Sequence, residues 1–172
     1  MFIDESAVLT NMARRYGWSP CGLRAPAKLP CGNGKRRSVL GAISLDGMVA
    51  AMSVEAATDS AVFAADLDKG LLPTLRQDKP AAVLVMDNLR AHKTPAVRTV
   101  LDRSGFLYRY LPSDSPDLSP IEPGWAKMTS YLRRVAARTL KALEPALGPA
   151  LNSITAQDAA GYFCHCGYSC LS

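Results

Sequence analysis

Apolar positions in the first third of the chain follow the spacing of strands. The segment MFI, followed by Asp4, predicts a short first strand that begins almost at residue 1. Residues 38–45 (SVLGAISL) and 48–54 (MVAAMSV) are two further apolar runs, and Asp46-Gly47 separates them. This dipeptide suits the two positive-φ positions of a type I′ turn, so the two runs predict a β-hairpin.

The middle of the chain alternates between helical and strand patterns. Residues 60–76 have helical spacing, although Gly70 and Pro73 weaken that prediction. Residues 81–86 (AAVLVM) are continuously apolar, which is typical of a strand buried on both faces of a parallel sheet. Residues 106–111 (FLYRYL) predict the next strand. In the helix predicted for residues 60–76, the apolar side is expected to contain Val62, Phe63, Leu67 and Leu71.

Two further helices are indicated by their end signals. Thr94 and Pro95 suit the cap and first position of a helix that Gly105 would terminate. Pro123 begins a long helix whose buried side is predicted to contain Trp125, Met128, Leu132 and Val135. The order strand, hairpin, helix, strand, helix, strand, helix predicts an α/β fold, with one mixed sheet flanked by helices. We expect residues 1–172 to form a single domain.

Composition adds a bias towards polyanionic partners. Of the 172 residues, 48% are apolar and 20% charged, an ordinary globular balance, and the formal net charge is +5. We expect no membrane contact, because no apolar segment approaches the length of a membrane span, and no signal peptide is evident. The five cysteines are an odd number, and we expect free thiols and a cytoplasmic location.

Basic residues are concentrated in two runs that contain no Asp or Glu, residues 6–45 and 123–143. Residues 11–37 are also rich in Gly and Pro, which predicts a loop. Two solvated surfaces are one explanation, but acid-free basic runs beside a cluster of carboxylates fit contact with a phosphate backbone better. The candidate DNA-binding residues here are Arg14, Arg15, Lys35, Arg36, Arg37, Lys127, Arg134 and Arg138. Helical spacing predicts one basic stripe formed by Lys127, Tyr131, Arg134, Arg138 and Lys141.

Three acids are the candidate chemistry of the chain. Asp87 ends the buried strand, Glu122 lies 35 positions later in a proline-rich turn, and Asp4 follows the first strand. Three carboxylates suit Mg²⁺ or Mn²⁺ bound against a phosphodiester. Taken singly, each has another explanation: Asp4 as a solvated acid, Asp87 as a turn cap, Glu122 as a favourable charge at a helix start. Strand alternation places Glu5 on the face opposite Asp4.

The motifs that contain these acids, DES, MDNLRAH and SPDLSPIE, resemble DDE transposases of the bacterial insertion-sequence branch of the mariner superfamily. The flanking blocks TNMARRYGWSP, GAISLDGMVA, LLPTL and AAGYFCHCGYS extend the resemblance over nearly the whole chain. The resemblance implies a ribonuclease-H-like fold, two Mg²⁺ or Mn²⁺ ions, and cleavage and strand transfer of DNA. The implied partners are the transposon ends and the target DNA. The resemblance also implies a homodimer and association with the nucleoid when DNA is bound.

Carried over position by position, the resemblance makes Asp4, Asp87 and Glu122 the catalytic metal ligands. Asn88 and His92 match a pair that supports those ligands, although helix capping or phosphate contact is equally reasonable for His92. Lys93 is a candidate phosphate contact.

The sequence also departs from the family. An upstream helix-turn-helix region, which reads the transposon ends, has no room before Asp4, so an upstream reading frame supplies it or the chain is a truncated remnant. Ser113 and Asp114 stand where Pro and Tyr are usual, and Ser119 where Asn is usual. The span EAATDS, residues 55–60, lacks the usual glycine-containing block.

Competing motifs are weaker. The segment GNGK, residues 32–35, lacks the first glycine and the final Ser or Thr of a phosphate loop. The cluster Cys164, His165, Cys166 and Cys170 lacks zinc-ligand spacing and more simply belongs to a packed C-terminus. Three functions stay open: a DNA endonuclease and strand transferase, a non-catalytic remnant that binds DNA weakly, and a related nuclease acting on RNA or DNA junctions.

Overall fold

A computed structural model of the protein describes residues 1–54 and 60–169. Five strands form one sheet in the order β3-β2-β1-β4-β5. The strands are β1 Phe2–Leu9, β2 Arg36–Ser44, β3 Gly47–Val54, β4 Leu84–Met86 and β5 Tyr108–Tyr110. The first three strands pair antiparallel, whereas β1–β4 and β4–β5 are parallel. The predicted mixed sheet is confirmed.

Helices cover both faces of this sheet. They are α1 Ser60–Asp66, α2 Leu72–Asp78, α3 Pro95–Ser104, α4 Ile121–Val135, α5 Leu140–Asn152 and α6 Ala156–His165. Adjacent residues on β1 point to opposite cores: Phe2 packs with α4, α5 and α6, and Ile3 with α1, α2 and α3. No helix in residues 1–54 and 60–169 is long and apolar enough to span a bilayer.

Three predicted strand boundaries are wrong. The first strand is not short: β1 continues past Asp4 to Leu9 and pairs with β2 along all eight residues. In contrast, β4 and β5 are each three residues long, and neither fills its predicted range of 81–86 or 106–111. Val83 is 41% exposed, because the chain joins the sheet only at Leu84.

The hairpin is confirmed, but its predicted type I′ turn is wrong. Ser44 pairs with Gly47, so the two loop residues are Leu45 and Asp46. Within residues 44–47, all of which are described, positive φ occurs at Gly47 alone (104°). The Asp46 amide donates to Ser44 Oγ (3.1 Å), a local bond typical of Ser-initiated turns.

The helical prediction for residues 60–76 is confirmed, with a π-helical turn at Leu67–Leu71 between α1 and α2. Glycine suits position 70, because a Cβ there would collide with Met52 on β3. Pro73 lies in the first turn of α2, directly after the π-helical turn. Val62 is only half-buried, contrary to the prediction. Residues 55–59 of the unusual EAATDS span, and Cys170, lie outside the described residues.

The long C-terminal helix is the largest correction. Helix α4 ends at Val135, which is 46% exposed, because Ala136 adopts a left-handed backbone with φ 55°. Arg138 and Lys141 therefore lie beyond α4, and the single basic stripe does not form. Thr139 and Thr155 cap two further helices, α5 and α6, which the sequence reasoning did not separate. Helix α3 is confirmed, with Thr94 before it and Gly105 (φ 77°) after it.

Candidate active site

The parallel pairing of β1 and β4 brings two of the acids to one level. Phe2 pairs with Val85 and Ile3 with Met86, so the next residue on each strand is Asp4 and Asp87 respectively. The third acid, Glu122, lies in the first turn of α4 rather than before the helix. All three acids line one open cavity of about 340 Å³. The acids that the sequence singled out are therefore brought together.

The loops after β4 and β5 complete this cavity. Asn88 and Arg90 contribute from the first loop, and Asp114 contributes from the second with a left-handed backbone (φ 54°). Ser113 and Ser119 line the same space, so all three unusual positions of the third motif face the acids. Arg90 was not predicted, because one exposed arginine carries no local sequence signal.

Asp87 is held through its Oδ1 oxygen. That oxygen accepts from the Leu89 amide (3.2 Å) and contacts Nδ1 of His92, which acts as the donor because an ionised carboxylate only accepts. Burial alone would raise the pKa of Asp87, but these hydrogen bonds and the positive charge of Lys93 bring it below its usual value. Asp87 is therefore ionised at neutral pH.

His92 is a buried partner of Asp87, with 3% of its surface exposed. Its ring stacks on Phe63 of α1 at a centroid distance of 4.2 Å. Its carbonyl accepts from the Tyr110 hydroxyl (2.9 Å). The imidazole is therefore held by Phe63 and by Asp87, while Tyr110 holds its backbone, so the ring lies within the core and away from a surface phosphate.

Asp4 is the most buried of the three acids. Burial is the main cause that raises its pKa to about 6, and repulsion from Glu122 and Asp87 adds to it. Hydrogen bonds from the Glu5 backbone and from Trp125 Nε1 (2.9 Å to Oδ2) oppose the rise. The pKa of Glu122 is also raised, first by burial and then by Asp87. The three carboxylates thus repel one another, which a bound cation would relieve.

This donor set fits a hard divalent cation by its chemistry. As placed, no three His, Cys, Asp or Glu side chains within residues 1–54 and 60–169 stand close enough together to hold an ion. An ion would therefore have to draw the carboxylates inwards. Glu122, at the exposed rim on a helix end, has the most room to do so.

Asn88 and Lys93 connect the two loops beside the acids. Asn88 Nδ2 donates to Ser113 Oγ (3.0 Å), and the Lys93 ammonium donates to Asn88 Oδ1. Lys93 is thus engaged within the site, and its contact with a DNA phosphate stays a prediction.

The candidate DNA-binding residues fall into two groups. Arg14 and Arg15 of the loop after β1 meet Arg134 of α4 around a second cavity of about 380 Å³. Arg133, which the sequence reasoning missed, completes this cluster, and the ring of Tyr131 lies 5.5 Å from the Arg134 guanidinium. We call Arg14, Arg15, Arg133 and Arg134 the arginine surface.

Other members of the predicted set are engaged within the fold. Arg37 is buried and its guanidinium donates to Glu144 (2.8 Å), which contradicts its assignment as a DNA contact. Lys127 pairs with Asp158 (2.6 Å), and Arg138 donates to the Met12 carbonyl (2.6 Å). Lys35 and Arg36 are exposed at the start of β2, and neither lines the cavity of the arginine surface.

The cysteines follow the expectation of free thiols. In the described part of the chain Cys21, Cys31, Cys164 and Cys166 are all free. Cys164 is exposed and Cys166 buried at the end of α6, and no zinc-like cluster forms among the described residues.

Comparison with solved structures identifies the fold. The chain superimposes on the Mos1 transposase paired-end complex with left transposon end with a TM-score of 0.73 and 18% identity. The match covers 96% of this chain and 50% of the Mos1 chain. The Mos1 mariner paired-end complex with Mn gives 0.75 and 16%, with coverage of 96% and 51%. The structure of the Mos1 transposase catalytic domain and Raltegravir with Mg gives a TM-score of 0.68 and 15% identity, and the match covers 96% of this chain and 76% of that one.

These matches establish a ribonuclease-H-like fold, and the chain spans about half the length of the first two of them. No curated protein matches the sequence. The sequence profile of the family described as DDE superfamily endonuclease matches residues 1–144. The chain therefore belongs to the DDE superfamily of endonucleases.

Proposed function

We propose that this chain is the catalytic domain of a bacterial insertion-sequence transposase, which cleaves DNA and transfers the cut strand. The observation that carries the proposal is the meeting of Asp4, Asp87 and Glu122 in one open cavity. A nuclease of this kind needs no protein nucleophile, only carboxylates that hold metal ions at a DNA strand.

Each acid has a separate task in this proposal. Asp87 is the ionised anchor: its Oδ1 is engaged by His92 and Leu89, and its carboxylate would be a ligand of a bound ion. Asp4 supplies the buried ligand and Glu122 the ligand at the rim. Two Mg²⁺ or Mn²⁺ ions, when bound, activate water or a DNA 3′-hydroxyl and stabilise the leaving oxygen. His92 keeps Asp87 oriented and charged.

The proposed DNA partners are transposon ends and target DNA. Support comes from the arginine surface, which lies in the acid-free parts of the chain, and from the transposon-end complexes in which the similar Mos1 structures were solved. An upstream helix-turn-helix region would read the ends, and a dimer would pair them. We further propose a cytoplasmic location, with the protein on the nucleoid when DNA is bound.

Nicking of supercoiled plasmid in Mn²⁺ tests the catalytic proposal. The parent should nick, Glu122→Gln should lose at least a hundredfold in rate, and EDTA should abolish nicking. Glu5→Gln is the matched control, because Glu5 lies on the opposite face of β1, near Asp66. Equal loss in both variants, or cleavage by Glu122→Gln at the parent rate, would refute this site.

Salt dependence of DNA binding tests the arginine surface. Replacing Arg14 and Arg134 by Ala should weaken duplex binding and lower the slope of log K against log salt by about 2. Lys69→Ala, an exposed cation on the opposite face of the sheet, should leave the slope unchanged. An unchanged slope in the double variant would place DNA elsewhere.

A non-catalytic remnant is the second candidate, and Asp114 favours it. Its carboxylate adds a fourth acid to the cavity wall where a DNA phosphate would approach. If Asp114 blocks catalysis, the parent should bind Mn²⁺ without nicking, and Asp114→Asn should nick. Asn keeps the tolerance for the left-handed backbone at this position.

A further inference from the structure

Trp125 has a second contact besides its place in the core. Its ring is 4% exposed and lies across β2 at Gly41. A Cβ on Gly41 would come within 2.5 Å of Trp125 Cη2 and 3.2 Å of Cζ2. Since aromatic carbons in contact need about 3.5 Å or more, the ring has its position only because residue 41 lacks a side chain.

Gly41 is also the residue that pairs with Asp4 across the β1–β2 ladder. The ring that lies on Gly41 therefore reaches the neighbouring strand, where Trp125 Nε1 donates to Asp4 Oδ2 at 2.9 Å. A buried tryptophan N–H needs an acceptor, and a carboxylate is a strong one. Contact with Gly41 at Cη2 and Cζ2, together with the charge-assisted bond from the adjacent Nε1, leaves the ring one orientation.

The same residue joins two of the acids. Trp125 lies three positions after Glu122, hence on the same side of α4, and its bond reaches β1. We propose that Trp125 is a positioning residue of the metal site and that Gly41 is the residue that makes room for it. Trp125 acts on Asp4: its bond to Oδ2 holds the carboxylate in one orientation at the wall of the cavity. This inference rests on the proposed metal-dependent function.

Two substitutions test the positioning role of Trp125, one by removing its N–H donor and the other by displacing its ring. Trp125→Phe keeps a buried ring and removes the N–H donor. Gly41→Ala keeps the donor and displaces the ring by steric contact. Both should weaken Mn²⁺ binding by about 10- to 100-fold, the usual effect of removing a group that orients a metal ligand. Met128→Leu, one turn further along the same buried face, should bind as the parent does and controls for core disturbance.

Electron paramagnetic resonance of free Mn²⁺ gives the affinities without relying on cleavage. Because Trp125 acts through Asp4, adding Trp125→Phe to Asp4→Asn should cause no further loss of affinity. Parent-like affinity in Trp125→Phe, or losses that add in the double variant, would overturn the positioning role. A parent that binds no Mn²⁺ would instead overturn the metal site, and this role with it.

Indole resonances report the bond directly in the intact protein. The chain has two tryptophans, and Trp18 is fully exposed, so it serves as an internal reference. Added Mg²⁺ and the Asp4→Asn substitution should each shift the Trp125 Nε1–H signal and leave that of Trp18 in place. Equal shifts of both signals, or of neither, would contradict the proposal.

Discussion

Replacing Asp4 by Asn should make the metal-free protein more stable at neutral pH. The carboxylate is buried beside Asp87 and Glu122, which raises its pKa to about 6. Asn is neutral and of the same shape, and its oxygen can still accept the Trp125 N–H bond. The substitution therefore removes a buried charge that destabilises the fold at neutral pH. It keeps the hydrogen bond that holds the Trp125 ring in place.

The magnitude follows from the shift in pKa. A rise from about 3.9 in the unfolded chain to about 6 in the fold is roughly 2 units, or about 3 kcal/mol. Because the folded state binds this proton more tightly, its contribution is intact below about pH 4 and is lost as pH rises through 6. Asp4→Asn should thus add up to about 3 kcal/mol above pH 7 and little near pH 4.

Urea unfolding in EDTA, at a neutral and an acidic pH, measures this difference. Asp46→Asn is the control: its pKa is lowered by the Lys79 ammonium, so neutralising it should slightly destabilise the protein at neutral pH. Added Mg²⁺ should stabilise the parent and not Asp4→Asn. An Asp4→Asn protein no more stable than the parent at neutral pH, or equally more stable at both pH values, would refute the reasoning.

Four other substitutions test the fold and the support of the site. Ala136→Gly should stabilise by about 0.5–1 kcal/mol in thermal unfolding, because it relieves a left-handed backbone. The control Ala126→Gly, exposed within α4, should destabilise the protein by about 1 kcal/mol. A change in stability of the same sign in both variants would contradict the assigned end of α4. His92→Leu should weaken Mn²⁺ binding about 10- to 100-fold by releasing Asp87; unchanged affinity would exclude its supporting role. Leu84→Ala should cost about 2–5 kcal/mol in urea unfolding, and a cost below about 1 kcal/mol would contradict a central β4.

Local patterns predicted the sheet and the meeting of the acids. The apolar run before Asp87 indicated a buried strand, and parallel pairing with β1 then places Asp87 beside Asp4. The hairpin followed from two apolar runs around Asp46-Gly47. Glu122 needed more than local pattern, because its place beside Asp87 depends on how α4 packs; there the family motif supplied the answer.

Errors arose where distant contacts override local preference. Alanine favours helices, yet Ala136 ends α4, because the chain must turn for α5 to pack beside α4. Arg37 belongs to a basic run, but its side chain is buried and pairs with Glu144, which lies 107 positions away. Trp125 has the spacing of a core residue, and its bond to Asp4 spans 121 positions. None of these partners is visible from neighbouring residues.

Anomalous scattering from crystals of the protein grown with Mn²⁺ would test the central claim most directly. We expect two manganese peaks in the cavity, with oxygen ligands from Asp4, Asp87 and Glu122, and their loss in Asp87→Asn crystals grown the same way. Manganese bound elsewhere, or absent from the cavity at saturating concentration, would contradict a metal site formed by these three acids.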